Sequence, residues 1–463
     1  MRPALLLLLL AGCATAPAGS GVFLAGFAAA DITPPVGWRR AGGYHELIST
    51  GVHDPLYAKA VVFEQGGVRG ALVVCDLCSI GRDVSDPVRR LASARTGIPF
   101  EHISISATHT HGGPEFHGVL WEAWRDATVA KHGSDIHAKE DYVRKLVEAC
   151  AGAVARADAA KRPVSLESGE ARAPGIAFNR RHHLSDGTTT TNPGKKNPKI
   201  LRAAGPVNDA LPWLLARDLS GTPVGSFTAF DMHVAVFGGP AFGADFPAHL
   251  QERLRGTHGR DFISIFAEGC AGDVNHVDVS SERPQPGETE PARIGGALAD
   301  ALLKAEPRRV QPSLAVRSTR VRVPLREVTP EETARARDVL SLRLVPNPGF
   351  FVLVGAYRIL WTEKLRARDG ESADEEIQAF RISDEVAIVT LPHEIFVEIG
   401  MAIRERSPFR RTIVVSLAND VDFYVPTRKA FAEGGYEVET SPYKPGGGEL
   451  LVDAAVRLLR SLR

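Results

Sequence analysis

The chain has 463 residues, 44% hydrophobic and 24% charged, a balance ordinary for a folded globular protein. Lys plus Arg and Asp plus Glu number 55 each, so the formal net charge is zero. No field of one sign is available to steer a nucleic acid or an anionic membrane surface, which argues against a nucleic-acid role.

The first residues read as a targeting segment. Met1-Arg2 is a short basic start, Ala4 to Leu10 is an apolar run, and Leu10-Ala11-Gly12-Cys13 follows. That is the layout of a secretory signal peptide, and the run is too short for a bilayer span of about 20 residues. A small-residue site ending in Cys resembles a bacterial lipobox, which would lipidate Cys13 and make it the mature N-terminus. Simple cleavage at nearby Ala-x-Ala-like residues is the alternative. Residues 14–20 read as a tether, so the expectation is an exported, membrane-anchored protein of the cell envelope, periplasmic or at the surface.

Beyond residue 20, strand-like and helix-like segments alternate. Strands are expected at Tyr57 to Phe63 and Gly70 to Cys75, separated by the hairpin signal Gly66-Gly67. A helix is expected at Asp83 to Arg95, with Asp83 as its cap and Pro87 in its first turn. His102 to Ala107 reads as a strand, and Lys139 to Ala155 has helical spacing of apolar residues. The polar stretch His182 to Lys199 reads as a long surface loop. Further strands are expected at Pro163 to Glu170, Pro223 to Phe230, Phe262 to Ala267, Leu314 to Val323, Glu376 to Ile382, Val386 to Leu391 and Thr412 to Leu417. Helices are expected at Phe246 to Leu254, Pro291 to Lys304, Pro330 to Leu342, Ile395 to Glu405 and Glu449 to Leu459. The alternation predicts an α/β fold with a buried mixed sheet and flanking helices. No internal repeat and no linker divides it, so one large domain over 21–463 is expected. Cys75-Asp-Leu-Cys78 has the spacing of half a zinc site, but no second Cys pair completes one. Core cysteines are the favoured reading, with a local disulfide next.

The most informative segment is Ser104 to Pro114, where an apolar strand runs into His109 and His111 and then Gly-Gly-Pro. On a strand, positions i and i+2 face one side, so both imidazoles could enter one cleft, to bind a metal or carry protons. Taken alone, the pair is equally consistent with two solvated loop histidines. Other strand ends add His233, Glu394 and, after Leu417, Asp420 and Tyr424. Ligands in open α/β sheets sit at the carboxyl ends of strands. Imidazole, carboxylate and phenol oxygen converging there suit zinc.

These segments resemble the neutral (alkaline, non-lysosomal) ceramidase family, in the family's order along nearly the whole mature chain. The resemblance is carried by Ala29-Ala-Asp-Ile-Thr-Pro34, Gly51-Val-His-Asp-Pro-Leu-Tyr-Ala-Lys-Ala60, Thr108-His-Thr-His-Gly-Gly-Pro114, Gly175-Ile-Ala-Phe-Asn-Arg180, Tyr424-Val-Pro-Thr427 and Tyr436-Glu437. It implies the fold of that family's catalytic N-terminal domain and a zinc ion (Zn2+) held by His109, His233, Glu394 and Tyr424. It further implies that His111 sits beside the reacting group and that Arg180 and Tyr436 hydrogen-bond around the metal water and the scissile carbonyl. His182, His183, His276 and His393 read as ordinary polar residues.

Two departures bear on function. The segment Glu268 to His276 carries Asn275 where the family has its proposed catalytic serine. An amide cannot act as a nucleophile, although it can donate to an oxyanion. The chain also ends at Arg463, so the family's immunoglobulin-like C-terminal domain is not expected in it. The leading expectation is a zinc amidohydrolase of the envelope that cleaves the N-acyl bond of ceramide-like lipids with zinc-activated water, His111 carrying the proton. The alternatives are a zinc hydrolase of another amide or ester, and a non-catalytic lipoprotein that binds a ligand in the old site. The expected partners are a small-molecule or lipid substrate and a membrane held through Cys13.

Overall fold

A computed structural model describes residues 21–463 apart from 139–140, 286, 288, 342–347 and 421–422. The targeting segment with Cys13, and the expected helix ends at Lys139 and Leu342, lie outside the described residues. The large sheet takes, in chain order, β1 (Leu24–Asp31), β2 (Tyr57–Gln65), β3 (Val68–Cys75), β4 (Ile103–Ala107), β5 (Arg162–Arg172), β6 (Ala210–Asp218), β7 (Pro223–Phe230), β8 (Ile263–Glu268) and the short β9 (Arg308–Val310). Its spatial order is β8-β7-β6-β5-β1-β2-β3-β4, with β9 paired to β5. A second sheet runs β10 (Pro312–Pro324), β11 (Ser372–Ser383), β12 (Val386–Thr390) and β13 (Arg411–Val415), neighbours in that order.

Within these two sheets most neighbours are antiparallel, but three pairs are parallel: β3 with β4, β7 with β8, and β12 with β13. The expected mixed, buried α/β architecture is thus realised as two sheets packed face to face. The strand sequences explain this. Along β2, Val61 and Phe63 enter the core between the sheets, whereas Ala58, Ala60 and Val62 face helices on the outer side. Along β12, Val386 and Ile388 face inward while Ala387 and Val389 face the second helical layer. Strands buried on both faces read as continuous apolar runs, and these do.

Helices α1 (Arg82–Thr96), α2 (Gly118–His132), α3 (Tyr142–Ala159), α4 (Phe246–His258), α5 (Glu290–Lys304), α6 (Pro330–Leu340), α7 (Phe350–Asp369), α8 (Val397–Arg406) and α9 (Gly447–Arg460) follow. Buried residues of α1 and α3 share one core on the outer face of the large sheet, and those of α4 and α5 share another. Those of α6, α7, α8 and α9 cover the second sheet. No helix among the described residues is long and apolar enough to cross a membrane.

Several expectations need correction. Asp83 lies inside α1, whose N-cap is Gly81, because the chain turns helical at Arg82. The strand expected from His102 starts at Ile103, since Phe100–His102 forms a 3-10 turn. The helix expected from Ile395 starts at Val397, because Glu394–Ile395 pairs in parallel with Tyr424–Val425. Much of the expected loop 182–199 is sheet: Arg181–Leu184 pairs with Thr189–Thr191 and with Ile200–Ala203. The turn at Asp186-Gly187 supplies the reversal, with Gly187 at φ +83, and Arg181, His182, Leu184 and Thr189 are buried. Cys75 and Cys150 are free in the core with sulfurs 3.6 Å apart, so Cys75 and Cys78 form no local disulfide.

Candidate active site

The carboxyl ends of the three parallel pairs in the two sheets meet at one place. His109 follows β4 by two residues, His233 follows β7 by three, Glu268 ends β8, and Glu394 follows β12 by four. Backbone bonds lock the sheets together there, from Asn419 N to Ile105 O (2.7 Å) and Ser416 N to Glu268 O (3.0 Å), and Glu394 N donates to Phe423 O (2.8 Å) within the second half. The two histidines after β4 do not share a strand face, because the strand stops at Ala107 and His109 is left-handed, at φ +66. A tight turn brings their rings together instead, with centroids 5.0 Å apart. Gly112 permits that turn, since a Cβ on it would lie 2.3 Å from Gly243 O.

His109 Nε2 and His233 Nε2 lie 3.3 and 3.1 Å from Glu394 Oε2. Each ring donates through its other nitrogen to a carbonyl, His109 Nδ1 to Cys78 O at 2.7 Å and His233 Nδ1 to Ala271 O at 2.8 Å. A carbonyl only accepts, so each Nδ1 carries a proton, and in the neutral ring each Nε2 presents a lone pair. Buried His109 Nε2 and Glu394 Oε2 have no hydrogen-bond partner. His109 Nε2, His233 Nε2 and Glu394 Oε2 converge as a candidate cation site, in which His233 Nε2 also accepts from Arg180 Nη1 at 3.1 Å. Ligand bonds of about 2.0–2.1 Å on a tetrahedron put donor atoms roughly 3.3 Å apart, which matches the separations from Glu394. The three residues therefore fit zinc. Cys78 and His111 join His109 in a second, adjacent cluster of ligand-type groups.

Burial would lift the Glu394 carboxyl, but His109 and His233 outweigh it and hold it well below the usual carboxylate range. Burial, then the charges of His109 and His233, push His111 well below the usual imidazole value. Burial, then Arg180, lowers His233 to about 4.

Arg180 is buried and fully engaged: Nε donates to Glu437 Oε1 (2.8 Å), Nη2 to Gly272 O (2.9 Å), and Nη1 stands 3.1 Å from His233 Nε2. Its guanidinium carbon is 5.1 Å from the Tyr424 ring centre and 5.9 Å from that of Tyr436. Arg181 donates to Glu433 and Gly434 O and lies 3.4 Å from the other oxygen of Glu437, outside the cleft lining. The Tyr424 ring lies parallel to His233 with centroids 6.3 Å apart. The Tyr436 hydroxyl is 3.4 Å from that of Tyr44.

His109, His111, Arg180, Glu394, Tyr424 and Tyr436 line one cleft of about 610 Å³. His233 sits behind it, against Glu394. One wall is aromatic, with Tyr44, Phe350, Phe351, Tyr357 and Phe423, and another is polar, with Thr189, Thr190, Thr191 and Asn192. Asn275 is not among the lining residues: its Nδ2 donates to Asn192 Oδ1 and its Oδ1 accepts from Val277 N. His182, His183, His276 and His393 also lie outside the lining. Sequence reasoning gave no role to Glu268, Glu437, Cys78, Glu115 or Tyr44. Glu268 ends a strand at the same sheet edge as the ligands, and Glu437 follows Tyr436, so a signal existed for both. Tyr44 and Glu115 had none, because only folding brings them to the cleft.

Residues 23–236 match the family model for the N-terminal region of neutral/alkaline non-lysosomal ceramidases. Among solved structures, the neutral ceramidase of Pseudomonas aeruginosa superposes with a TM-score of 0.71 at 20% identity, over 96% of this chain and 75% of that one. A ceramidase complexed with C2 superposes equally well, at 0.71 and 20%, over 96% of this chain and 76% of that one. No curated protein matches the sequence. The chain thus resembles the neutral/alkaline non-lysosomal ceramidases in the sequence of residues 23–236, and shares the fold of a solved member over nearly its whole length.

Proposed function

We propose that this chain is a zinc-dependent amidohydrolase that cleaves the N-acyl bond of a ceramide-like lipid. The observation that carries the reading is the convergence of His109 Nε2, His233 Nε2 and the unpartnered Glu394 Oε2 at a cleft with an aromatic wall. His109, His233 and Glu394 would hold the ion, with Tyr424 as a fourth ligand. When bound, zinc supplies a Lewis acid for the carbonyl and lowers the pKa of water to about 7. The chain's own residues do the rest. The aromatic wall takes the hydrocarbon, excludes water and orients the amide. Arg180, its position fixed by Glu437 and Gly272 O, offers fixed positive charge where the carbonyl oxygen becomes negative, as does the Tyr436 hydroxyl. His111 faces His109 and His233 and can take a proton from the attacking water and return it to the leaving amine.

The test is hydrolysis of a short-acyl ceramide by the zinc-loaded chain beside Glu394→Ala. Turnover is expected in the first and a loss of at least about a thousandfold in the second. Zinc retained by the first without turnover rejects the substrate, and absence of zinc from it rejects the site. Asn275 in place of the family's serine favours a second reading, a zinc hydrolase of a different amide or ester, which the same assay with other acyl donors separates. Envelope location and the lipid anchor rest on residues 1–20 alone. A Cys13→Ser chain is expected to leave the membrane fraction, and its retention there rejects the anchor.

A further inference from the structure

Asn275 ends the two-residue strand Val274–Asn275, where it lies opposite Phe178. Its Oδ1 accepts from the Val277 N–H at 2.9 Å. A backbone N–H can only donate, so this contact fixes which end of the amide is oxygen. The Nδ2 end consequently faces Asn192, at 3.0 Å from Asn192 Oδ1. That bond fixes the second amide as well: Asn192 turns its oxygen toward Asn275 and its NH2 group the other way. The Asn192 backbone is held too, since its N–H donates to Arg180 O at 2.8 Å. Its left-handed φ of +48 is one that asparagine adopts more readily than most residues. Of the two amides only Asn192 lines the cleft, on the wall it shares with Thr190 and Thr191.

We propose that Asn192 Nδ2 donates a hydrogen bond to an oxygen on the polar end of the substrate, and that Asn275 is the positioning residue that sets the polarity of this donor. The inference rests on the reading above for what enters the cleft. A hydroxyl at 275 would either donate or accept, and so would leave either orientation of Asn192 open; the amide permits one. Asn275 thereby works one residue behind the cleft, through Asn192. The substrate class follows: an amphiphile whose chain lies on the aromatic wall and whose polar end carries a hydroxyl or similar acceptor on the threonine–asparagine wall.

The experiment compares the zinc-loaded full chain with Asn192→Asp and Asn275→Ser. Asn192→Asp can still accept from Asn275 but has no N–H to give. The readout is the ratio of kcat/KM for a short-acyl ceramide to that for an analogue whose hydroxyls are replaced by hydrogen. Wild type should prefer the hydroxylated substrate, and both variants should lose about tenfold of that preference, through KM more than kcat. Zinc content and Tm should stay at wild-type values, which a merely structural role would not require. Undiminished preference in Asn192→Asp overturns the donor. Undiminished preference in Asn275→Ser alone, or a rise in kcat there, overturns the positioning role. Should wild type hydrolyse neither substrate, the functional reading fails separately. The same preference is then read as Kd for a hydroxylated and a dehydroxylated long-chain amino alcohol by calorimetry. Its loss in both variants supports the proposal; its absence from wild type or its persistence in the variants overturns it.

Discussion

Glu115 lines the cleft four residues beyond His111, and burial pushes its carboxyl up to about 8 from an ordinary 4.5. Between those two values the unfolded chain has released a proton that the folded chain retains. Unfolding therefore becomes easier as pH rises through that window, and the contribution of the neutral carboxyl is lost at about pH 8. Glu115→Gln cannot ionise and is close in shape. It should flatten the fall of Tm between pH 4.5 and 8 and leave the variant more stable than wild type at the upper end. Parallel Tm–pH profiles for the two proteins would show that Glu115 is charged in the folded state. A cleft-facing acid kept neutral also bears on chemistry, since a protonated carboxyl donates hydrogen bonds and an ionised one cannot.

The turn from β12 to Glu394 shows how whole elements aim the site. His393 is left-handed at φ +66, a conformation that costs a non-glycine residue about 1–2 kcal/mol. Its side chain runs away from the cleft into a sealed pocket, where His393 Nε2 is 2.8 Å from Tyr443 Oη and 3.0 Å from Glu375 Oε2. Tyr443 Oη donates to Glu375 Oε1 at 2.6 Å. β11, the turn that carries Glu394 and the approach to α9 are thus tied by one buried polar cluster. Tyr443→Phe would leave Glu375 Oε1 without its donor and should destabilise the fold by about 1–3 kcal/mol in a urea titration. An unchanged midpoint would mean that water replaces the hydroxyl and that the cluster fixes nothing. The sequence placed the strands on either side of this turn, because Glu376 to Ile382 and Val386 to Leu391 are apolar runs with clear ends. It could not indicate the cluster, since residues 375, 393 and 443 are brought together only by tertiary packing. The same limit hid α7. Its opening, Phe350-Phe-Val-Leu-Val354, has the composition of a strand and no capping side chain, and helical spacing emerges only from buried Val354, Leu360, Trp361 and Leu365. His109, His233, Glu394 and Tyr424 were legible because each follows an apolar strand, whereas Arg180 and Tyr436 were reached only through the family resemblance. The left-handed turns that aim them at one another were not, because positive φ at His109 and His393 runs against local preference and is imposed by the surrounding sheets.

At the scale of the molecule, the site is a seam between two sheets. His109 and His233 come from loops of the large sheet, whereas Glu394 and Tyr424 come from the second sheet and the two-residue pairing beyond it. An ion held by all four would cross-link the halves across the apolar core that joins them. A ligand that binds only the folded state adds stability as RT ln(1 + [L]/Kd), about 2.7 kcal/mol at a hundredfold excess over Kd. Stripping zinc with a chelator should therefore lower Tm by about 3 °C, the lost free energy divided by the unfolding entropy of a domain of this size. Returning zinc should restore it. Glu394→Ala breaks the link at one ligand, so its Tm should respond far less to the chelator than wild type. The comparison is informative because both proteins share the same core and differ in one cleft-facing carboxylate. Equal responses in the two would place the stabilising ion elsewhere in the molecule. No response in either would mean that no bound ion joins the two sheets, which their apolar faces and the backbone bonds at the seam then hold without it.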